Sequence, residues 1–109
     1  KWCSIRGFMK FLIKINTDSE LISYEAIALA FTLATFDHAV QLSFGKNSLT
    51  VLMDESTRIY GMAQSLELYD LPKAYHEFAD EPAKLNPAIQ AVLTIGQPTL
   101  DGYDTVLTF

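Results

Sequence analysis

The sequence is poor in cysteine, in basic residues and in long apolar runs, and each scarcity excludes a class of protein. A single cysteine, Cys3, rules out an intramolecular disulfide and a multi-cysteine metal site, and it favours a reducing, cytoplasmic location. Eight Lys and Arg against thirteen Asp and Glu give a net charge of -5, which argues against non-specific binding to nucleic acid or anionic membranes. The most apolar window, 26–35, is far shorter than the roughly 20 residues that span a bilayer.

The length and the apolar content set the expected architecture. At 109 residues the chain suffices for one domain. Half of the residues are hydrophobic and the mean hydropathy is +0.16, so we expect an oligomer that buries further surface against partners. Residues 1–8 show no clear period, and we expect them to be a tag, an alternative upstream start or a disordered leader before a single domain at 9–109.

Strand and helix patterns alternate along the chain. Strands are predicted at 9–15, 40–44, 74–78 and 105–109, and helices at about 20–35 and 56–68. Segment 88–95 is ambiguous between a strand and a short helix, and its β-branched residues favour a strand. This order indicates an α/β fold with a mainly parallel sheet of about five strands.

The sequence predicts the ends of the helices less precisely than the order of the elements. Asp18 or Ser19 is expected to cap the first helix, whose interior is apolar on almost every face. Asp54 or Ser56 is expected to cap the second. Residues 49–53 fit a hairpin return, an extension of the second strand past a bulge, or the start of the next helix, and the sequence does not decide among them.

The candidate site follows the strand predicted at 74–78. Pro72 stops the preceding helix, and in open α/β sheets ligands bind beyond the carboxyl ends of strands. The residues expected there are Tyr75, His76, Glu77, Asp80 and Glu81. Adjacent strand residues point to opposite faces, so His76 and Glu77 are not expected to share a metal ion. The plain interpretation is a solvated acidic loop with one histidine near a subunit surface, without catalytic residue, metal or cofactor.

Two runs carry a family resemblance. Residues 66–72 read L-x-L-Y-D-L-P before a strand, and residues 102–109 read G-Y-D-T-V-L-T-F. With weaker agreement over the first strand and helix, the chain from 9 to 109 resembles the DsrE/DsrF/DsrH-like sulfur-relay family, closest to its DsrF or TusC type of subunit. The resemblance implies a small, three-layer flavodoxin-like fold and a cytoplasmic heterohexamer with DsrE-type and DsrH-type subunits. Such complexes carry persulfide sulfur, toward 2-thiolation of tRNA or in sulfur oxidation.

The chain departs from the family pattern at two places. The resemblance puts Glu77 where the family has its sulfur-carrying cysteine, and a carboxylate cannot form a persulfide. Segment 97–102 is too short for the helix usual before the last strand. Three hypotheses follow: a non-catalytic relay subunit, a stand-alone homo-oligomer that binds a small ligand at the 77–81 edge, and an enzyme with His76 or Glu77 as acid or base.

Overall fold

A computed structural model describes residues 9–78, 84–96 and 98–109. Its core is a five-stranded sheet in which every neighbouring pair is parallel, with the strand order β4-β3-β2-β1-β5. The strands are β1 (Lys10–Ile15), β2 (Ala39–Phe44), β3 (Ala74–His76), β4 (Leu93–Ile95) and β5 (Thr105–Thr108). The predicted α/β class and parallel sheet are therefore confirmed.

The register of the two central strands gives the sheet one apolar face. Ile13 pairs with Leu42 and Ile15 pairs with Phe44, and all four side chains are buried. Because side chains alternate along a strand, these residues share one face. The main apolar core lies on this face and joins the strands to helix residues such as Ile27.

In the part of the chain that the structure describes, four α-helices form a layer over that face. They are α1 (Glu20–Thr35), α2 (Leu49–Met53), α3 (Arg58–Gln64) and α4 (Pro87–Gln90). Helix α3 contacts each of the other three, and α1 also packs on β1 and β2. Helix α1 is the longest of them and buries Ala26, Ile27 and Ala30 against the core.

The opposite face of the sheet carries Leu12 and Tyr75. Leu12 is fully buried on this side and is not part of the main core. Tyr75 lies on the same side, because it pairs with Ser43 rather than with the core residues. Burial and the neighbouring Tyr75 raise the pKa of Tyr103, which precedes β5. A 3₁₀ turn, Leu100–Gly102, stands where a longer connection would hold a helix.

Two local predictions are confirmed at the ends of helices. Ser19 caps α1, since its Oγ accepts a hydrogen bond from the N–H of Ile22 at 3.2 Å. The predicted stop at 69–72 is also present. There a 3₁₀ turn, Leu66–Tyr69, ends at Asp70, which has a left-handed φ of 59°.

The second helix begins later than predicted and ends earlier. It runs from Arg58 to Gln64, and neither Asp54 nor Ser56 caps it. Asp54 instead accepts hydrogen bonds from the N–H and Oγ of Ser56, at 3.0 and 2.5 Å. These bonds lower the pKa of Asp54 and fix the turn before α3.

Two further segments resolve as helix. Residues 49–53, which the sequence left open, form α2. The strand predicted over 88–95 is wrong in its first half, where α4 begins. The Oδ1 of Asn86 accepts from the N–H of Ala88 at 2.9 Å, and Pro87 occupies the first helical position. This capping arrangement outweighs the β-branched composition, and the strand is left with Leu93–Ile95.

The remaining strands agree with prediction to within two residues at each end. Within the described residues, no helix is both long enough and apolar enough to cross a membrane.

Candidate functional site

The loops that follow β1, β2 and β3 meet at the carboxyl edge of the sheet. They begin at Asn16, Gly45 and Glu77 respectively. The predicted site residues therefore lie at the edge where open α/β folds bind ligands. Of these, Tyr75, His76 and Glu77 are described by the structure, whereas Asp80 and Glu81 lie outside the described residues.

His76 is buried, which corrects the expectation of a histidine on a solvated loop. Its side chain is 6% exposed because β3 pairs it with Phe44 on the helix-covered face. The imidazole stacks on Phe78, with ring centroids 5.2 Å apart and an interplanar angle of 22°. The side chain of His76 therefore lies in the apolar core and not in solvent.

The hydrogen bonding of His76 defines its protonation state. Its Nδ1 accepts a hydrogen bond from the backbone N–H of Phe78 at 3.2 Å. The neutral ring must then carry its proton on Nε2. Burial lowers the pKa of His76, so the ring is neutral at pH 7. A general base needs a free lone pair, and in this ring the lone pair of Nδ1 is already occupied by Phe78.

Glu77 and Tyr75 have surroundings that differ from those of His76. The N–H of Glu77 donates to the carbonyl of Phe44 at 3.1 Å, which extends the pairing of β3 with β2 by one bond. The side chain of Glu77 is half-buried. Tyr75 lies on the opposite face of the sheet, packed near Gly96. His76 therefore lies on the other face of the sheet from Tyr75, and the hypothesis of an enzyme that uses His76 or Glu77 as acid or base stays a prediction.

A polar cluster that the sequence did not predict joins the loops after β1 and β2. We call it the β1–β2 loop clasp, and it comprises Asn16, Thr17, Gly45, Asn47 and Ser48. The Oγ of Ser48 donates to the carbonyl of Ile15 at 2.9 Å and accepts from the N–H of Thr17 at 3.3 Å. The Oδ1 of Asn16 accepts from the N–H of Asn47 at 2.9 Å.

The clasp holds the carboxyl edge rigid where the two central strands end. Ser48 is 1% exposed, so its hydroxyl satisfies backbone groups that water cannot reach. Gly45 lies directly against the Asn16 side chain, leaving no room there for a Cβ atom. The run Gly45-Lys46-Asn47-Ser48 was the available sequence signal, but its partners at Ile15–Thr17 are about thirty residues away and local pattern does not reveal them.

A cavity lies at the opposite, amino edge of the sheet. It has a volume of about 350 Å³, and its lining includes Lys10, His38, Gln41, Asp70 and Tyr103. This size is near the lower end of small-molecule sites. Cavity and predicted site therefore do not coincide. Within 9–78, 84–96 and 98–109, no three His, Cys, Asp or Glu residues form a group that could hold a metal ion.

Comparison with known proteins supports the fold. No family model and no curated protein matches the chain. Among solved structures, the chain is similar to the crystal structure of the YchN protein from E. coli. The similarity has a TM-score of 0.65 and covers 93% of this chain and 99% of YchN, with 20% sequence identity. At that identity the match shows a shared fold, and it agrees with the small α/β architecture that the sequence predicts.

Proposed function

We propose that this protein is a non-catalytic subunit of a cytoplasmic sulfur-relay complex, serving tRNA 2-thiolation or sulfur oxidation beside DsrE-type and DsrH-type subunits. The proposal rests on one observation: at the end of β3, where the family resemblance places a sulfur-carrying cysteine, the chain has Glu77. Persulfide chemistry requires a thiolate, and the only cysteine of the chain is Cys3. The persulfide would therefore reside on a partner.

The residues around Glu77 support a structural role. His76 is buried and neutral, its Nδ1 is occupied by the N–H of Phe78, and the N–H of Glu77 extends the sheet. These contacts give His76 and the backbone of Glu77 structural roles at this edge. A subunit of this kind would shape and stabilise the surroundings of a partner's cysteine while leaving the sulfur transfer to that cysteine.

The sharpest test is co-expression. The chain starting at Met9 is purified alone and after co-expression with DsrE-type and DsrH-type proteins from the same genome, and the native mass of each preparation is measured. A stable mixed complex is expected, with persulfide found on a partner's cysteine by mass spectrometry. A chain that never enters a mixed complex would contradict the proposal.

Substitution of Glu77 separates a structural from a chemical role. Because Glu77 contributes its backbone N–H rather than a reactive side chain to the sheet, we expect Glu77→Ala to leave folding and assembly unchanged. Glu77→Gln serves as the size-matched control. Loss of a measurable turnover in Glu77→Ala, with its fold retained, would refute the non-catalytic assignment.

A second candidate, a homo-oligomeric protein that binds a small ligand, is favoured by the amino-edge cavity. That cavity brings together cationic, anionic and amide side chains, including Lys10, Asp70 and Gln41. It differs from the original expectation, which put the ligand at the 77–81 edge. A homo-oligomer that ignores DsrE-type and DsrH-type proteins would favour this candidate over the relay subunit.

A further inference from the structure

The amino-edge cavity is lined by residues from four separate segments of the chain. Lys10 begins β1, and residues 38–41 lead into β2. Asp70 lies in the turn before β3, and Tyr103 precedes β5. Glu77 follows β3 at the carboxyl edge, so the cavity is separated from it by the length of the strands.

Hydrogen bonds within the chain define what the two polar side chains of β2 and its approach can offer a ligand. The Nε2 of Gln41 donates to the carbonyls of Leu42 and Lys73, each at 2.8 Å. Both amide hydrogens are thereby used, so Gln41 offers the acceptor Oε1. The Nδ1 of His38 accepts from the N–H of Met9 at 3.0 Å, so the neutral ring offers the donor Nε2–H.

Opposite charges lie on the two sides of this donor and acceptor. Lys10 is on β1 and Asp70 precedes β3, and β2 runs between these two strands. Both side chains are exposed, and no ion pair joins either of them to another described residue. The Oδ2 of Asp104 accepts from the backbone N–H of Lys10 at 2.8 Å. The Lys10 ammonium and the Asp70 carboxylate are therefore both available to a ligand.

The donor lies toward Lys10 and the acceptor lies toward Asp70. His38 is bound to the N–H of Met9, and its ring meets the edge of Phe11 on β1, with centroids 5.3 Å apart. Gln41 is bound instead to the carbonyl of Lys73, directly before β3. The β1 side of the cavity thus suits an anionic group, and the β3 side suits a cationic group.

The strand spacing sets the length of a ligand that reaches both charges. Neighbouring strands lie about 4.8 Å apart, so the backbones of β1 and β3 are about 10 Å apart. The volume of about 350 Å³ equals that of about twelve waters at about 30 Å³ each, which is enough for a short linear molecule. Ala39 and Pro72 also line the cavity and suit an aliphatic middle.

The balance of charge disfavours ligands with a single charge. Among the described residues that line the cavity, Lys10 is the one cation and Asp70 the one carboxylate. Burial and Tyr75 raise the pKa of Tyr103, so its phenol stays protonated and adds no charge. The chain as a whole carries a net charge of -5, which repels simple anions. A molecule that carries one charge of each sign leaves neither Lys10 nor Asp70 unpaired.

We propose that the amino-edge cavity binds a small linear zwitterion, an aliphatic amino carboxylate whose carboxylate pairs with Lys10 and whose ammonium pairs with Asp70. His38 donates to the carboxylate, and Gln41 accepts from the ammonium. This inference rests on the second candidate function, a small-ligand-binding protein, and names the ligand class of that site. It does not depend on the sulfur-relay role.

The first test compares probes of matched length by NMR titration of the full, ¹⁵N-labelled chain. The probes are 6-aminohexanoate, which carries both charges, and hexanoate and hexylamine, which carry one each. We expect 6-aminohexanoate to shift the amide signals of residues 38–41 with a Kd of about 1 mM or tighter. Each singly charged probe should bind about tenfold more weakly, because it leaves one charge of the site unpaired. Equal binding of the three probes would overturn the proposal.

Charge-removing variants then assign each end of the ligand. Lys10→Met should weaken 6-aminohexanoate about tenfold and leave hexylamine unaffected, because hexylamine has no carboxylate to lose. Asp70→Asn should weaken 6-aminohexanoate to a similar extent and leave hexanoate unaffected. Asparagine tolerates the left-handed φ of 59° at position 70, so this variant keeps the turn.

The matched controls are Lys46→Met and Asp18→Asn, which make the same charge changes in exposed loops at the carboxyl edge. Both should bind 6-aminohexanoate as the original chain does, and losses equal to those of the cavity variants would overturn the proposal. A set of uncharged fragments separates this inference from the function on which it rests. If such fragments shift the amides of residues 38–41 and 6-aminohexanoate does not, the ligand class is wrong while the ligand-binding candidate stands. If nothing shifts them, both fail.

Discussion

Replacement of Gly45 by alanine tests the β1–β2 loop clasp most directly. A Cβ at this position would lie 2.5 Å from Cγ and 2.8 Å from Cβ of Asn16. The backbone itself permits alanine, since Gly45 has φ -84° and ψ 175°. The Asn16 side chain is held in place by the N–H of Asn47, and it can move away only by giving up that hydrogen bond.

The size of the effect follows from three contributions. Loss of the bond from Asn47 to Asn16 costs about 1 kcal/mol. Residual crowding of the loops adds about 1–3 kcal/mol, as for an extra methylene in a packed site. Reduced freedom of the unfolded chain offsets about 0.4–1 kcal/mol. We therefore expect Gly45→Ala to lower the free energy of unfolding by about 1–3 kcal/mol and the Tm by roughly 5–15 °C.

A double-mutant cycle with Asn16→Ala isolates the contact. Urea unfolding is measured for Gly45→Ala, Asn16→Ala and the double variant. Asn16→Ala alone should cost about 1 kcal/mol through the hydrogen bond from Asn47, and Gly45→Ala should then be nearly neutral because the obstructing side chain is gone. If Gly45→Ala destabilises the Asn16→Ala background as much as it destabilises the original chain, the clasp is not the cause.

Two further predictions concern buried polar groups. Ser48→Ala should lower the free energy of unfolding in urea by about 1–3 kcal/mol, because it leaves the carbonyl of Ile15 without its partner. The control Ser65→Ala removes an exposed Oγ and should cost under about 0.5 kcal/mol. Similar losses in the two variants would contradict the role of burial. For His76 the pKa in the folded state lies below the pKa in the unfolded state, so the unfolded chain binds the proton first as the pH falls. The free energy of unfolding should therefore be at its full value above about pH 6.5. It should decrease as the pH drops from that value toward the lower folded-state pKa. His76→Asn, which keeps an acceptor for the N–H of Phe78 but does not titrate, should flatten that decline, and an unchanged pH profile would show that His76 is not responsible.

The sequence by itself determined most of the order of the elements and several of their ends. Alternation in Val40, Leu42 and Phe44 marked β2, Asp18 or Ser19 marked the start of α1, and Pro72 marked the stop before β3. These signals are local: they depend on side-chain period, caps and the missing N–H of proline, and all can be read within a few residues. The fold class followed because alternating strands and helices have few ways to bury their apolar faces.

The sequence also predicted the apolar character of α1, but it did not predict which part of the helix surface stays exposed. Period alone showed that almost every face of 22–36 is hydrophobic. Only the packing of α3 and the following 3₁₀ turn beside it showed which part of that surface remains exposed and forms a groove. Burial depends on which elements become neighbours, and the helix pattern does not contain that information.

Tertiary structure alone decided the character of the candidate site. His76 is buried and neutral because β3 aligns it with Phe44. Ser48 contributes to stability because its hydroxyl forms hydrogen bonds with Ile15 and Thr17. In both cases the deciding partner is a group distant in the sequence. The helix at Pro87–Gln90 is different, because its start signals, Asn86 and Pro87, are local and only their weight against the β-branched residues was misjudged. Hydrogen bonds between groups thirty residues apart depend on the strand register, and the register exists only once the sheet has formed.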